Sequence, residues 1–343
     1  MEPDLLRDPL PSARRPVGAL LGGLGLQAAY TLLHPEKREP FVSPRPEPLS
    51  RLYYRSRDGW QAPLYRLPSP TGGEPVLLAH GLGGSALDFS LDSEISLAEA
   101  LRKAGYSVYL WEHRADRSAI APEHAAGFSA DDVALADLDA ALDLIREDSG
   151  FPRLMWIGHG LGAQLLLLRL GLSGREGVAA GVYMQGALRF PTLSSSGKIA
   201  GRVAEMLPQS WILPGRRVQQ LLSPWATESA LHRGRLVHAS GDLHAGLLRQ
   251  IGRWFRVGHL CDSTGRIDIA EALERQAALV VQADSDPFCA FDAMEPAVEK
   301  MGAFRLKLEG GWGHLDSLVD RRAPEQVHKP LLQFLEVWRR RCW

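Results

Sequence analysis

Cysteine is scarce: Cys261, Cys289 and Cys342 are the three in 343 residues, far apart and without a C-x-x-C pair. That pattern excludes a disulfide framework and offers no thiol-based zinc or redox motif. It fits a reducing compartment, and the cytoplasm is the expected one. An excess of either charge is lacking too. Lys and Arg number 39 against 40 Asp and Glu, so no basic face is left for nucleic acid, which is excluded as a partner. No apolar run reaches the ~20 residues of a spanning helix. Val17 to Leu33 comes nearest, preceded by Arg14 and Arg15 and interrupted by Gln27 and Thr31. Glu2, Asp4 and Asp8 spoil the positive lead of an export signal. Residues 17–33 are expected either to lie as a helix on the domain or to make a membrane contact. Five prolines between Pro35 and Pro48 describe an extended linker, which sets residues 1–50 apart. Internal repeats and low-complexity tracts are also lacking.

What is present suits a globular chain: 45% hydrophobic and 23% charged residues allow a core of useful size. Leu52 to Ser56 and Gln61 to Leu67 flank Asp58-Gly59, a strong hairpin signal. Pro75–Ala79, Tyr106–Trp111, Leu154–Ile157, Ala179–Met184, Ala278–Gln282 and Phe304–Leu308 read as short buried strands. Between them lie helical stretches. Ile95–Ala104 is closed by Gly105. Ser129 and Asp132 form a capping box ahead of the apolar face Leu135, Leu138, Leu142 and Ile145. Leu161–Leu170 is apolar nearly all round, the mark of a buried helix. A last helix runs from about Pro324 to Arg340, its Arg339-Arg340-Arg341 run suiting a helix C-terminus. Strands alternating with helices predict an α/β class with a mainly parallel, doubly wound sheet, the hairpin at its start. The alternation breaks over about 90 residues from Ala187. Trp211, Trp225 and Trp254 occur there, and Leu247, Leu248, Ile251, Trp254 and Phe255 share one helical face. A helical cap over 187–277 is expected, with a core of 51–186 and 278–343.

The chemistry-bearing residues follow three of the strands. Pro75–Ala79 runs into His80-Gly81-Leu82-Gly83-Gly84. Leu154–Ile157 runs into Gly158-His159-Gly160-Leu161-Gly162 and the buried helix. Asp284-Ser285-Asp286-Pro287 follows one late strand, and Gly311-Trp312-Gly313-His314 follows the next. Together these segments resemble the α/β-hydrolase superfamily, in particular its lipase- and esterase-like branch with a helical cap. The family's chain order is strand–elbow–helix, then the acid, then the histidine. The resemblance covers about residues 51–186 and 278–343. It implies an oxyanion hole from the Leu82 and Leu161 amides, with such donors worth about 3 kcal/mol each in a transition state. It implies His314 as general base, with Asp286 fixing its tautomer. The family pattern is G-x-S-x-G, and here glycine, Gly160, stands at the third position. Glycine offers no nucleophilic atom, and removing such a nucleophile elsewhere costs up to about 10⁶ in rate.

Alternatives stand beside these assignments. Asp284 competes with Asp286, and Asp316 is a second candidate partner for His314. His80 is expected to be structural, and Glu112, His113 and Arg114 to form a local polar network. His159 is expected to point away from the turn. The cap tryptophans are expected to be core. His113 and His124 lack metal-ligand spacing, so neither a metal nor a cofactor is expected. The function implied is a hydrolase homologue that is weakly active or non-catalytic and binds a small apolar, ester- or lipid-like ligand. The alternative is an ester hydrolase that uses a water activated by His314 and Asp286.

Overall fold

Strand-forming and turn residues alternate early, and the computed structural model shows what they build. It describes residues 50–190, 201–213 and 241–342, apart from 91–93, 117, 126, 203, 209, 210 and 287. Residues 17–33 and Trp225 therefore lie outside the described residues, as does much of the expected cap. Among the described residues no helix is long and apolar enough to cross a membrane.

Strands β1 (Ser50–Arg55) and β2 (Gln61–Leu67) pair antiparallel around the Asp58-Gly59 turn. Gly59 adopts φ +91° there, a value that favours glycine. Strand β3 spans Pro75–Ala79 and β4 spans Ser107–Trp111. Helix α1 (Leu97–Lys103) lies between them. It starts two residues later than its apolar pattern suggests, because Ser96 caps it and accepts from the Glu99 amide at 3.0 Å. The Ser129–Asp132 capping box forms as expected. Behind it, Val133–Asp137 makes a wider π turn before helix α2 (Leu138–Ser149). The extra residue in that turn rotates the helical face. Leu135 is left only half-buried, while Asp137 is fully buried.

Strand β5 (Leu154–His159), helix α3 (Leu161–Ser173) and strand β6 (Val178–Met184) follow. β5 extends two residues beyond its apolar run, since Gly158 and His159 pair with Tyr183 and Met184. After β6 the described residues hold a two-stranded ribbon, β7 (Ile212–Leu213) with β8 (Leu243–His244), and helix α4 (Ala245–Val257). A one-turn helix α5 (Ile269–Ala272) leads to β9 (Ala278–Ala283). Helix α6 (Glu295–Met301), β10 (Phe304–Leu308), the short α7 (Asp316–Val319) and the terminal α8 (Lys329–Cys342) complete the chain.

The eight-stranded sheet runs in the order β1-β2-β4-β3-β5-β6-β9-β10. Its first two pairings are antiparallel, and the five from β4 to β10 are parallel. Apolar clusters cover both faces. Leu138, Leu142, Leu165 and Leu168 pack on one face, and Leu97, Leu101, Leu331 and Leu335 on the other. This is the α/β-hydrolase architecture, and it gathers the C-terminal ends of β3, β5, β9 and β10 at one edge, where crevices form in open α/β sheets. Trp254 belongs to the core: it is fully buried and donates to the Cys261 carbonyl at 2.7 Å.

One polar feature of the core titrates. His328 is buried, and its Nε2 finds no hydrogen-bond partner among the described residues. Burial lowers its pKa to about 4. The folded chain therefore refuses a proton that the unfolded chain accepts below about pH 6.5. Stability is fully present above that value and is lost as pH falls toward about 4, by about 2 kcal/mol at pH 5 for this residue. In urea unfolding at pH 7 and pH 5, His328→Leu is expected to lose about that much less than the wild type. Equal losses would refute the assignment.

Candidate active site

The turn after β5 is built from glycines that the packing requires. A Cβ at Gly158 would stand 2.5 Å from the Ala163 amide nitrogen, and one at Gly162 would stand 2.1 Å from the Ala79 carbonyl oxygen. These are backbone collisions, so strand β5, helix α3 and the end of β3 meet only if both positions lack side chains. Gly160 sits at the apex with φ +52° and ψ −118°. Its amide donates to the Met184 carbonyl at 2.9 Å, which fixes the turn to β6. A Cβ there would meet His314 Nε2 at 3.1 Å and Gly81 Cα at 3.6 Å.

His314 reaches this point from the loop after β10. Its Nδ1 lies 2.8 Å from Asp286 Oδ2. The Asp286 side chain is 1% exposed and that of His314 is 16% exposed, so the acid is sealed and the imidazole keeps a partly open edge. Asp286 Oδ1 accepts from the Phe288 and Cys289 amides at 2.8 and 3.1 Å. Those donors hold the carboxylate in place.

The competing acids do other work. Asp284 accepts from the Gly310, Gly311 and Trp312 amides, and these bonds lower its pKa despite partial burial. Asp316 accepts from the Gly313 amide at 2.6 Å. Both carboxylates brace the loop that carries His314, and Asp286 is the one that contacts its ring. His159 points away from the apex and is fully buried, with its Nε2 2.8 Å from the His314 carbonyl oxygen. Burial, with the nearby His314, lowers its pKa to about 3. It therefore stays neutral and donates, a support for the His314 backbone that sequence periodicity could not reveal.

Leu82 and Leu161 line one small crevice with His80, Glu112 and His113. Leu82 lies within the tight turn closed by the Gly84 amide on the Gly81 carbonyl at 3.1 Å. Leu161 is the first residue of α3, where a helix leaves its amides without intrahelical partners. Beneath the turn is a polar network. His80 Nε2 stands 3.0 Å from Glu112 Oε2, and Glu112 Oε1 accepts from the Ala86 amide at 2.7 Å. Burial opposes charge on His80, yet Glu112 prevails and raises the His80 pKa to about 9. His113 stacks on His80 at 4.8 Å, and burial, with the His80 charge, holds it well below its ordinary value. Arg114 turns away, to Asp58 and Asp137. Glu112 and His113 thus share a network with His80, whereas Arg114, expected in the same network, belongs to a separate one with Asp58 and Asp137.

Among the described residues one trio of potential metal ligands clusters within 4.8 Å, Asp286, Cys289 and His314. Each is already engaged. Cys289 Sγ donates to the Gln185 carbonyl at 2.8 Å, and burial raises its thiol pKa well above the ordinary value.

Residues 74–212 match the sequence profile of the alpha/beta hydrolase fold. Over those residues the chain carries the α/β-hydrolase family's sequence signature. The chain is 33% identical to Lipase member K of Homo sapiens over 129 residues, 33% of this chain and 32% of that protein. It is likewise 33% identical to gastric triacylglycerol lipase of Bos taurus over 124 residues, 32% and 31% of the two chains. The matched stretch thus spans about a third of the curated relatives. An esterase structure from Exiguobacterium antarcticum superposes with a TM-score of 0.62 at 15% identity, covering 83% of this chain and 98% of that one. The bottromycin epimerase BotH does so with a TM-score of 0.57 at 18% identity, covering 83% and 99%. At these identities the superpositions speak for the fold alone. The relatives are lipases and esterases, and one neighbour with the same architecture is an epimerase.

Proposed function

We propose that Gly160 occupies the family's nucleophile position, and that the protein binds an apolar ester- or lipid-like ligand in its crevice with little or no turnover. One observation carries this reading. The point 3.1 Å from His314 Nε2, where a side chain at position 160 would begin, has no side chain to fill it. The fold does not by itself dictate chemistry, and an epimerase on the same architecture illustrates that. Apolar occupancy is supported by Leu213 and Leu243 with Leu82 and Leu248, which form an apolar cluster beside the crevice.

A second reading is favoured by the His314–Asp286 contact, since a sealed acid 2.8 Å from the ring is the arrangement of a working base. In that reading His314 Nε2 takes a proton from a water lodged beside Gly160. The hydroxide formed attacks the ester carbonyl, the Leu82 and Leu161 amides hold the oxyanion, and its collapse breaks the ester C–O bond and releases the alcohol, which takes back the proton from His314. The route is slow, because no acyl-enzyme divides the reaction into two easier steps.

Wild type and His314→Ala, assayed on p-nitrophenyl butyrate and octanoate, separate these readings. Wild-type rates at the uncatalysed level, with octanoate esters still raising the melting temperature, are expected. Slow turnover abolished by His314→Ala would favour the water route instead. A wild-type kcat of about 1 s⁻¹ or more, the ordinary range for enzymes, that survives His314→Ala would sink both.

A further inference from the structure

The opposite edge of the sheet holds a cavity that the crevice chemistry does not use. It has a volume of about 410 Å³ and lies at the N-terminal ends of β5, β6 and β9. A six-residue strand is roughly 20 Å long, so this cavity and the His314 crevice are separated by the thickness of the sheet edge to edge. Arg146, Arg153 and Arg175 line it, from the end of α2 and the loops leading into β5 and β6. Gln276 and Trp338 complete its walls.

We propose that this cavity binds a phosphorylated small molecule, a phosphate monoester with an apolar or aromatic body. Three arginines line one concave space, and planar guanidinium forks match phosphate oxygens in pairs. Arg153 is exposed and has no ion-pair or hydrogen-bond partner among the described residues. Arg175 spends one nitrogen on the Arg275 carbonyl at 3.4 Å, and Arg146 contacts Asp143. The other facing acid is the exposed Glu176, so cations outnumber the acids on the cavity wall. Gln276, 8% exposed, accepts at Oε1 from the Tyr183 hydroxyl and closes the wall as a neutral polar side chain. Trp338 supplies the apolar part of the wall. The volume exceeds the needs of a bare phosphate ion, whose share of space is a few waters of about 30 Å³ each. That points to a ligand with an organic body.

Isothermal titration calorimetry with phenyl phosphate at pH 7.5 tests this, because the monoester is then mostly a dianion. Saturable one-to-one binding is expected, with phenol giving none and inorganic phosphate binding more weakly. Arg153→Ala/Arg175→Ala is expected to weaken phenyl phosphate at least tenfold, and Glu176→Gln to tighten it severalfold. The control Arg55→Ala/Arg57→Ala removes the same charge from the exposed hairpin and is expected to change nothing. No heat from phenyl phosphate up to about 5 mM, a range that already covers weak millimolar affinities, would overturn the proposal. So would equal losses in the two double variants, which would mean diffuse attraction to surface charge. The assignment is independent of what His314 does, since the p-nitrophenyl ester assays read the other edge of the sheet.

Discussion

Gly160→Ser is expected to raise hydrolysis of p-nitrophenyl butyrate by on the order of 10³-fold, and the gain is expected to vanish in Gly160→Ser/His314→Ala. A complete nucleophile is worth up to about 10⁶ in a mature site, and an unrefined crevice should recover part of that. The geometry for recovery is in place. The new Cβ would lie 3.1 Å from His314 Nε2 and 3.5 Å from Cε1, so the ring must yield by a few tenths of an ångström. The substitution has a stability cost. A φ of +52° with ψ −118° is a conformation that side-chain-bearing residues rarely adopt, at about 1–3 kcal/mol. A folded Gly160→Ser protein with a lowered melting temperature and a His314-dependent esterase rate is therefore the expected result. Activity that persists without His314 would dissociate the histidine from the chemistry. A folded but silent variant would mean that the close approach of residue 160 and His314 is packing alone.

The largest stability effect is expected at Asp137→Ala, a loss of about 3–5 kcal/mol in urea unfolding, as for other buried ion pairs broken from one side. Arg114 and Asp137 have side chains 1% and 0% exposed. Asp137 accepts from the Arg114 amide at 2.8 Å, from Nε at 2.9 Å and from Nη2 at 2.7 Å. Burial raises the Asp137 pKa to about 6 even against this pairing, so the carboxylate is held at a desolvation cost. Removing it strands a guanidinium in the core beside Trp60 and Phe128, with the half-exposed Asp58 its remaining counter-ion. The double variant Arg114→Met/Asp137→Leu is expected to recover most of the loss, because it removes both charges. If Asp137→Ala costs under about 1 kcal/mol, within the range of exposed pairs, water reaches Arg114 and the pair is not sealed.

Much of the fold was legible because its signals are local. The Asp58-Gly59 turn, the Ser129 capping box and the short apolar runs each need only neighbouring residues. The choice among Asp284, Asp286 and Asp316 was not legible, because all three lie near His314 in sequence pattern. Only the paths of the backbone amides separate them: those of Gly310 to Trp312 claim Asp284, that of Gly313 claims Asp316, and Asp286 is left to the ring. The burial of Asp137 was hidden by a π turn that shifts the helical face by one residue, which a strict 3.6 period cannot anticipate. The role of His159 was hidden because it depends on a carbonyl 155 residues away. The cationic cavity was hidden likewise, since Arg146, Arg153, Arg175 and Gln276 meet only through the order of the strands.

The two flanking glycines have a consequence for how this chain can change. Gly158 and Gly162 answer to steric demands from Ala163 and Ala79, whatever residue stands between them. Selection for a folded sheet therefore preserves the shape of the turn whatever chemistry it serves. Glycine and serine codons can differ by one base, so under the proposed reading a chain that keeps Asp286 and His314 stands a single substitution at position 160 away from a nucleophile, an acid and a histidine beside one turn.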